Sequence, residues 1–430
     1  MRFIIPVIFA AAVAVPAHAA NLYDTYKLAR QQDSQYLSSE ATLEANRENT
    51  PIARSALLPQ VNVVGNADQI DSGSASDGTY QRNRIALNVT QAVFNRASWM
   101  NFKKAMHGVS AAEASFQAEE QFLIIRVAEA YFTVLARAED LSFSRAESKA
   151  ILKQLDQAQQ RYDVGLIAIT DVHEAQAAYD NARSREIAAG NALDDAREAL
   201  IEIIGREPGK LAELKSRIGL NKPNPSNIEY WAGQALDNNP SVKAAMENVE
   251  AQSREVEVQR SGHFPTVDLV ASAGKTDYND APITQFQDIE TNSIGLELRI
   301  PLYSGGRTTS STSQARHNLR AERFNLESAK REVARNVRNA YRGVITSITQ
   351  VNALSSAMVS AQSALDATEA GYEVGTRTLV DVLIAQRNLF SARRDHALAR
   401  YQYILNDLLL HQAAGILDEQ DVKRINKLLK

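Results

Sequence analysis

Four stretches of the chain alternate strictly between apolar and polar residues. The first pair begins at Val61 and Ile85, and the second pair begins at Val267 and Ile294. Alternation over about ten residues is typical of a β-strand with one solvent-exposed face. Polar residues fill the stretch between the strands of each pair, at 71–78 and at 279–290, and predict turns there.

A different pattern fills most of the remaining chain, where apolar residues recur in steps of three and four. In one segment only Glu186 interrupts this seam, whose other members are Val172, Ala175, Tyr179, Ala182, Ala189, Leu193, Ala196, Leu200 and Ile203. A seam sustained over many heptads is typical of coiled-coil packing. No proline interrupts residues 97–205 or 306–415. Helical arms of about 60 residues would extend about 90 Å.

One motif occurs twice at an offset of 210 residues. Tyr162 and Tyr372 each begin a Y-x-V-G segment, and an Asp-Val pair follows each segment after the same interval. The prolines of SALLPQV (55–61) and SGHFPTV (261–267) correspond in a similar way. The chain is therefore predicted to contain two copies of about 200 residues, joined by a linker rich in proline and glycine.

The N-terminus has the composition of a secretory signal peptide. Arg2 precedes an apolar stretch, and Ala17-His18-Ala19 forms an A-x-A cleavage site. A membrane anchor is a poorer interpretation because the apolar stretch is short. We therefore expect residues 1–19 to be removed and the mature chain to be exported. No later stretch approaches the length of a transmembrane helix, so membrane insertion would have to use strands.

Composition excludes several classes of function. The chain has 430 residues and a formal net charge of −4, which is not the basic footprint of a nucleic-acid-binding protein. It has no Cys, and its seven His include no pair at helical spacing, so neither a metal site nor a cofactor is expected. No nucleophile–base constellation supports a hydrolytic enzyme, and we expect no enzymatic activity.

Four strands cannot close a membrane barrel. An open sheet edge in lipid leaves backbone groups unpaired, at a cost of several kcal/mol each. The chain is therefore expected to oligomerise through its strands. Three copies would supply twelve strands, enough to enclose a lumen, although the pattern alone does not give the number of copies.

The strings SALLPQV (55–61), RYDVGLIAITDV (161–172) and GYEVGTRTLVDVL (371–383) resemble the outer membrane factor family of efflux and secretion channels. The resemblance covers residues 21 to about 425. It implies an α+β membrane protein that forms a homotrimer. A 12-stranded barrel, with four strands per chain, would lie in outer-membrane lipid and continue into a long periplasmic α-helical coiled-coil barrel.

The same resemblance implies a transport function without catalysis. The trimer would be the exit duct for tripartite drug efflux, type I protein secretion, or both. A periplasmic adaptor protein and an inner-membrane transporter of the RND, ABC or MFS type would engage its periplasmic end. An iris-like movement of the inner helical hairpin would then open the duct.

Pattern and resemblance together predict the organisation along the chain. The segments are a signal peptide (1–19), a helix of the α-barrel with part of the equatorial region (20–58), the first β-hairpin (59–95), the first long helical hairpin (96–205), a linker and equatorial region (206–230), a second helix of the α-barrel (231–264), the second β-hairpin (265–304), the second long helical hairpin (305–415) and a C-terminal equatorial segment (416–430).

The resemblance assigns Asp381 to a ring at the pore entrance. Three like charges close together would attract cations and favour protonation of some members. Alternatively, Asp381 is an ordinary acid at a helix N-terminus, where the helix dipole favours it. The family has a second Asp three residues further on, but this chain has Ile384 there. That departure weakens any expectation that the entrance binds multivalent cations.

Two further groups of residues follow from the resemblance. A latch that holds the entrance closed would consist of Thr170, Asp171, Tyr372, Arg377 and Arg400. In it Tyr372 would donate a hydrogen bond to Asp171, and Arg377 would contact Thr170. The alternative is ordinary helix capping by Thr170 and Asp171.

The two turns that join the helical arms carry the second group. Their exposed tips would contact the adaptor, and their members are Val164, Gly165, Leu166, Val374, Gly375 and Thr376. The glycines are expected to adopt the positive φ that ends one helix and begins the return, whatever the tips bind.

A periplasmic coiled-coil scaffold without a pore is the competing function. The four amphipathic strands argue against it, because such a scaffold has no use for them. A hydrolytic enzyme of the cell envelope ranks last.

Overall fold

The computed structural model describes residues 20–71, 79–279 and 289–430. The predicted signal peptide and most of the two predicted strand-connecting turns lie outside these residues. Within them the chain forms ten α-helices, one short 3-10 helix at Ser261–His263 and four strands. The helices are α1 (Leu22–Gln32), α2 (Ser34–Arg47), α3 (Asn49–Ser55), α4 (Arg96–Asp163), α5 (Ile169–Ile204), α6 (Ile228–Asn238), α7 (Pro240–Arg260), α8 (Arg307–Glu373), α9 (Leu379–Ala413) and α10 (Glu419–Asn426).

The chain divides into two compact units, and each takes segments from both sequence copies. One unit, here called the hairpin unit, comprises the described residues up to Leu37 together with Glu120–Trp231 and Val337–Lys430. The other, the sheet unit, comprises Ser38–Glu119 and Ala232–Asn336. The duplication therefore does not correspond to two tandem domains.

The sheet unit contains one antiparallel sheet. Its strands are β1 (Gln60–Asp71), β2 (Thr79–Phe94), β3 (Thr266–Asn279) and β4 (Ile289–Arg299), in the order β1-β2-β3-β4. The four strands predicted from the alternating pattern are confirmed. Gly274 lies opposite Ala86 in the β2–β3 pair, where an added Cβ would come within 3.0 Å of the Ala86 Cβ. The two hairpins therefore pair side by side through β2 and β3.

Ion pairs join α7 to the first part of α4 within the sheet unit. Arg96 contacts Glu257 at 2.6 Å and Lys104 contacts Glu255 at 2.7 Å. Further along, Nδ1 of His107 lies 2.8 Å from a carboxylate oxygen of Glu247. These contacts fix the register of the two helices, because three basic residues along α4 each contact an acidic residue of α7.

The predicted coiled-coil seam is the buried face of α5 in the hairpin unit. Val172, Ala175, Ala182, Ala189, Leu193, Ala196, Leu200 and Ile203 are all buried there. Glu186, which interrupts the seam, lies 3.8 Å from Arg145 and 3.7 Å from Arg183. The one charged residue of the seam is thus only partly buried and is paired. The long helical arms are confirmed, since α4 has 68 residues and α8 has 67.

The linker packs against the N-terminal segment, the C-terminus and α4 in the hairpin unit, at the end away from the helical turns. Short β-bridges join Leu211 to Ala20 and Leu214 to Leu429. The buried hydroxyl of Tyr131 donates a hydrogen bond to the carbonyl of Ala212 at 2.8 Å. The N-terminal segment, the linker and the C-terminus are therefore held together around α4. Among the described residues, no helix has both the length and the apolarity of a membrane-spanning segment.

Candidate functional site

The turn between α4 and α5 is a Schellman motif. Gly165 has φ of +79°, and its N–H donates to the carbonyl of Tyr162 at 2.8 Å. The N–H of Leu166 donates to the carbonyl of Arg161 at 2.9 Å. These two bonds satisfy the last carbonyls of α4, and the left-handed residue between them is most easily glycine. The predicted positive φ of Gly165 is confirmed.

The turn between α8 and α9 repeats this geometry. Gly375 has φ of +77°, and its N–H donates to the carbonyl of Tyr372 at 3.1 Å. The carbonyl of Gly371 accepts from both the N–H and the hydroxyl of Thr376, at 2.8 and 3.0 Å. Arg377 folds back so closely that a Cβ on Gly371 would lie 2.8 Å from its Cγ. Gly371, which the sequence reasoning did not select, is therefore required for this close approach.

Apolar side chains project from both turns into solvent. Val164 is 70% exposed, Leu166 is 73% exposed and Val374 is 75% exposed. The backbone hydrogen bonds of the Schellman motifs hold these side chains outward, and they are largely exposed in the described part of the single chain. The predicted tip residues thus present two small apolar surfaces at one end of the hairpin unit.

The first turn of α9 is closed by a capping box. The N–H of Asp381 donates to Oγ1 of Thr378 at 3.2 Å. In return, Oδ2 of Asp381 accepts from the N–H and the hydroxyl of Thr378, at 3.0 and 2.9 Å. These bonds, together with the nearby charge of Arg377, hold the pKa of the Asp381 carboxyl below its ordinary value of 3.8. Asp381 is therefore a stable anion at a helix N-terminus, the alternative considered from the sequence.

The first turn of α5 has no such box. Its N-cap is Ala168, which has no side chain that can accept a hydrogen bond. The N–H of Asp171 reaches only the carbonyl of Ala168, at 3.2 Å. Thr170 and Asp171 are the second and third residues of the helix, so neither caps it, and the capping alternative for this pair is wrong. Within the described part of the chain the Asp171 carboxylate accepts no hydrogen bond.

Apolar packing brings the two helical hairpins together at this end. Val172 and Ala175 of α5 form one buried cluster with Leu379 and Leu383 of α9. The ring of Tyr372 packs against the same cluster. The guanidinium of Arg161 lies over that ring, with its Cζ 4.8 Å from the ring centroid. The ring thus has a cation partner on α4 as well as apolar neighbours on both hairpins.

Four of the five predicted latch residues, Thr170, Asp171, Tyr372 and Arg377, lie at this end of the hairpin unit, at or beside the two turns. Arg400 lies apart, 21 residues beyond the first residue of α9, or about 30 Å along it. Its guanidinium donates to the carbonyl of Lys215 in the linker. The described residues of one chain contain no hydrogen bond between Tyr372 and Asp171 or between Arg377 and Thr170.

Ile384 follows Asp381 by one helical turn and is 43% exposed. Its neighbours Val382 and Leu383 are almost completely buried, so Ile384 lies on the outward side of α9 with Asp381. The single chain therefore presents one carboxylate and one apolar side chain in succession. No group of His, Cys, Asp or Glu that could hold a metal ion occurs among the described residues.

Comparisons with known proteins agree with this architecture. Residues 25–206 and 231–416 match the family described as outer membrane efflux protein. Outer membrane protein TolC of Vibrio cholerae is 38% identical over 437 aligned positions, which cover 100% of this chain and 99% of the relative. Alkaline protease secretion protein AprF of Pseudomonas aeruginosa is 29% identical and covers 95% of this chain and 87% of its own length.

A solved structure shares the fold at low sequence identity. The crystal structure of the channel protein CusC superposes with a TM-score of 0.81 at 17% identity, covering 92% of each chain. The fold and the sequence relatives are those of outer-membrane channels, and the outer membrane is the location of this protein. The chain belongs to the outer membrane efflux protein family, and its role is that of an exit duct in the outer membrane.

Proposed function

We propose that three copies of the chain form a gated duct whose periplasmic entrance is closed by contacts between neighbouring helical hairpins. The observation that carries this proposal is the open sheet. β1 and β4 each have a neighbour on one side only. On β4, Ile294, Leu296 and Leu298 are 76%, 68% and 59% exposed. An exposed apolar face suits lipid, but the unpaired backbone groups of the two edges are compatible with lipid only when further strands complete the sheet.

The free carboxylate of Asp171 supports the proposed latch. An ionised carboxylate has about four acceptor positions, and a phenol or guanidinium is a strong donor to it. In the assembly, Asp171 would accept from Tyr372, and Thr170 would accept from Arg377 of an adjacent hairpin. Each bond contributes about 0.5–3 kcal/mol, depending on charge. Three copies of such a link form a latch that a docking partner can break.

Asp381 and Ile384 would line the entrance in succession. A ring of three Asp381 carboxylates would attract cations, and the adjacent ring of three Ile384 side chains would be apolar. The capping box supports the charged state of Asp381, because it stabilises the anion. The neighbouring copies act in the opposite direction, because like charges raise one another's pKa.

The exposed apolar tips support an encounter with another protein. Val164, Leu166 and Val374 form small patches that suit the end of a helical hairpin on a periplasmic adaptor. An inner-membrane transporter of the RND, ABC or MFS type would supply the energy. The duct itself would have no enzymatic activity and no cofactor.

Membrane fractionation and trimer migration test the duct against a scaffold without a pore. We expect the full chain in the outer-membrane fraction, migrating as an SDS-resistant trimer and giving discrete conductance steps in planar bilayers. A soluble periplasmic protein without conductance would support the scaffold instead.

A further inference from the structure

A groove runs between α5 and α9. It lies beside the buried cluster that contains Val172, Ala175, Leu379 and Leu383, on the side away from the turns. It encloses 540 Å³, which is within the range of sites for drug-sized ligands. Ala175 of α5 and Leu383 of α9 belong to the same buried cluster, and the small Ala177 and Ala178 line the α5 side of the groove beside it. Leu383 and Ile384 form the opposite apolar wall.

Two arginines line the groove. Arg185 donates to the largely buried carboxylate of Glu147 at 2.7 Å. Arg387 is exposed and makes no hydrogen bond or ion pair within the part of the chain that the structure describes. A second cavity of 200 Å³ is lined by the same two arginines and by Arg394. The two cavities are therefore adjacent and share their cationic boundary.

Hydrogen-bond donors outnumber acceptors in this region. A guanidinium has five N–H donors, so Arg185 keeps donors free after binding Glu147, and Arg387 keeps all five. Glu174 is the carboxylate that lines the larger groove. Asp140 and Glu147 both line the smaller cavity, where Asp140 lies 3.9 Å from Arg394 and Glu147 is the acceptor of Arg185. The groove thus combines apolar walls with the exposed guanidinium of Arg387, which has no protein partner among the described residues, and the matching ligand has an apolar body and an acceptor-rich anionic group.

We propose that this groove binds an amphipathic anion. Its apolar body would pack on Ala177, Ala178 and Ile384, and its carboxylate or sulfonate would accept hydrogen bonds from Arg387 and Arg185. Such a ligand touches both helical hairpins at once. Its binding opposes their separation and keeps the entrance closed, a consequence that rests on the duct function proposed above.

Equilibrium binding to the purified full-length protein in lipid nanodiscs tests the site directly. Anilinonaphthalene sulfonate is a suitable probe because it has an apolar aromatic body, one sulfonate and a fluorescence that rises on desolvation. After subtraction of the signal from empty nanodiscs, we expect a saturable component. Arg387→Gln should weaken it about tenfold, the loss of one charge-assisted hydrogen bond, while Arg387→Lys should retain most of it.

Two controls separate this site from general adsorption. Arg217→Gln makes the same substitution at an exposed arginine outside the groove, and it should leave the affinity unchanged. Ala177→Trp fills the groove from an exposed position and should remove the saturable component. Uncharged phenylnaphthylamine has the same body without the sulfonate, and its signal should not depend on Arg387. Equal probe affinity in wild type, Arg387→Gln and Ala177→Trp would overturn the proposal.

A conductance measurement tests the effect on the gate. In the Tyr372→Phe, Arg377→Ser variant, saturating probe should lower the single-channel conductance, and adding Arg387→Gln should abolish that effect. An unchanged conductance at saturating probe would refute the stabilisation of the closed entrance. The binding experiment uses no transport, so its failure leaves the duct proposal intact. Conversely, absent conductance together with saturable, Arg387-dependent binding would contradict the duct proposal but would still support the binding site.

Discussion

Thr378 and Asp381 bind each other's backbone and side chain at the start of α9, with Oδ2 of Asp381 2.9 Å from the hydroxyl of Thr378. The corresponding pair in the other copy is Ala168 and Asp171, which cannot form this box. Duplication has therefore produced two acids at equivalent positions with different bonding. Asp381 is bound within its own helix, and Asp171 remains free to bind another hairpin.

Removing the cap should destabilise α9. Thr378→Ala deletes the hydroxyl that accepts from the N–H of Asp381, and we expect a loss of about 1 kcal/mol per chain. The midpoint of thermal unfolding, followed by circular dichroism, measures the loss. Thr376→Ala is the matched control, since its hydroxyl bonds only to the carbonyl of Gly371 and its removal leaves the box intact. Equal midpoints for Thr378→Ala and wild type would contradict the assigned role of the box.

Building the missing cap in the first copy should weaken the latch. In Ala168→Thr the new hydroxyl can bind Asp171 as Thr378 binds Asp381, so that Asp171 is less available to Tyr372. We expect a more stable α5 and a higher conductance of the closed channel. Ala168→Val has the same shape without the hydroxyl and should leave the conductance unchanged. A rise that is the same in both variants would point to a steric effect instead.

The capping box also predicts a pH dependence. The folded-state pKa of Asp381 is lowered below 3.8, so its stabilising contribution is fully present above that value. It is lost as the pH falls through the lowered pKa. The difference in unfolding temperature between wild type and Asp381→Asn should therefore be constant near neutral pH and shrink below about pH 4. A difference that grows on acidification would contradict the direction of the shift.

Much of this architecture could be predicted from the sequence. Three features could be predicted because each depends on a local pattern or on a single residue type. They are the strand alternation, the α5 seam and the positive φ of Gly165 and Gly375. The Thr378-x-x-Asp381 box was also readable as a capping signature, and its absence at Ala168 was the signal that the two acids differ.

The rest depends on packing between distant segments. The family resemblance implied that Arg400 belongs with the turn residues, but Arg400 lies far along α9 and binds the carbonyl of Lys215 in the linker. The groove beside Arg387 lies where α5 and α9 leave the buried cluster that holds Ala175 and Leu383, and the small side chains of Ala177 and Ala178 line its α5 side. No local pattern gives the separation of two helices that lie about 200 residues apart along the chain.

The entrance should respond weakly to multivalent cations. A trivalent cation added on the periplasmic side should block the channel through the Asp381 ring, and Asp381→Ala should remove the block. Ile384→Asp adds a second ring one turn away and should strengthen the block. Absence of block in the wild type, with no change in Asp381→Ala, would remove Asp381 from the entrance.

The tips should be needed for efflux but not for assembly. Leu166→Asn removes an apolar side chain that is 73% exposed without straining the turn, whereas Gly165→Trp adds bulk at the tip and also strains the turn, because Gly165 has φ of +79°. We expect both variants to reach the outer membrane as trimers and to lose drug resistance in a deletion strain. Gly190→Trp, at a helical glycine with open space around its Cβ position, is the control for bulk alone. Normal efflux by Leu166→Asn and Gly165→Trp would argue against adaptor contact at the tips.

Single-channel conductance of the Tyr372→Phe, Arg377→Ser variant tests the gated duct most directly. Removing the phenol and guanidinium donors deletes the proposed links to Asp171 and Thr170, and we expect a conductance well above that of the wild type. Arg400→Ser, which removes a guanidinium far from the turns, should conduct as the wild type does. An unchanged conductance in the double variant, in channels of normal trimer stability, would contradict the latch.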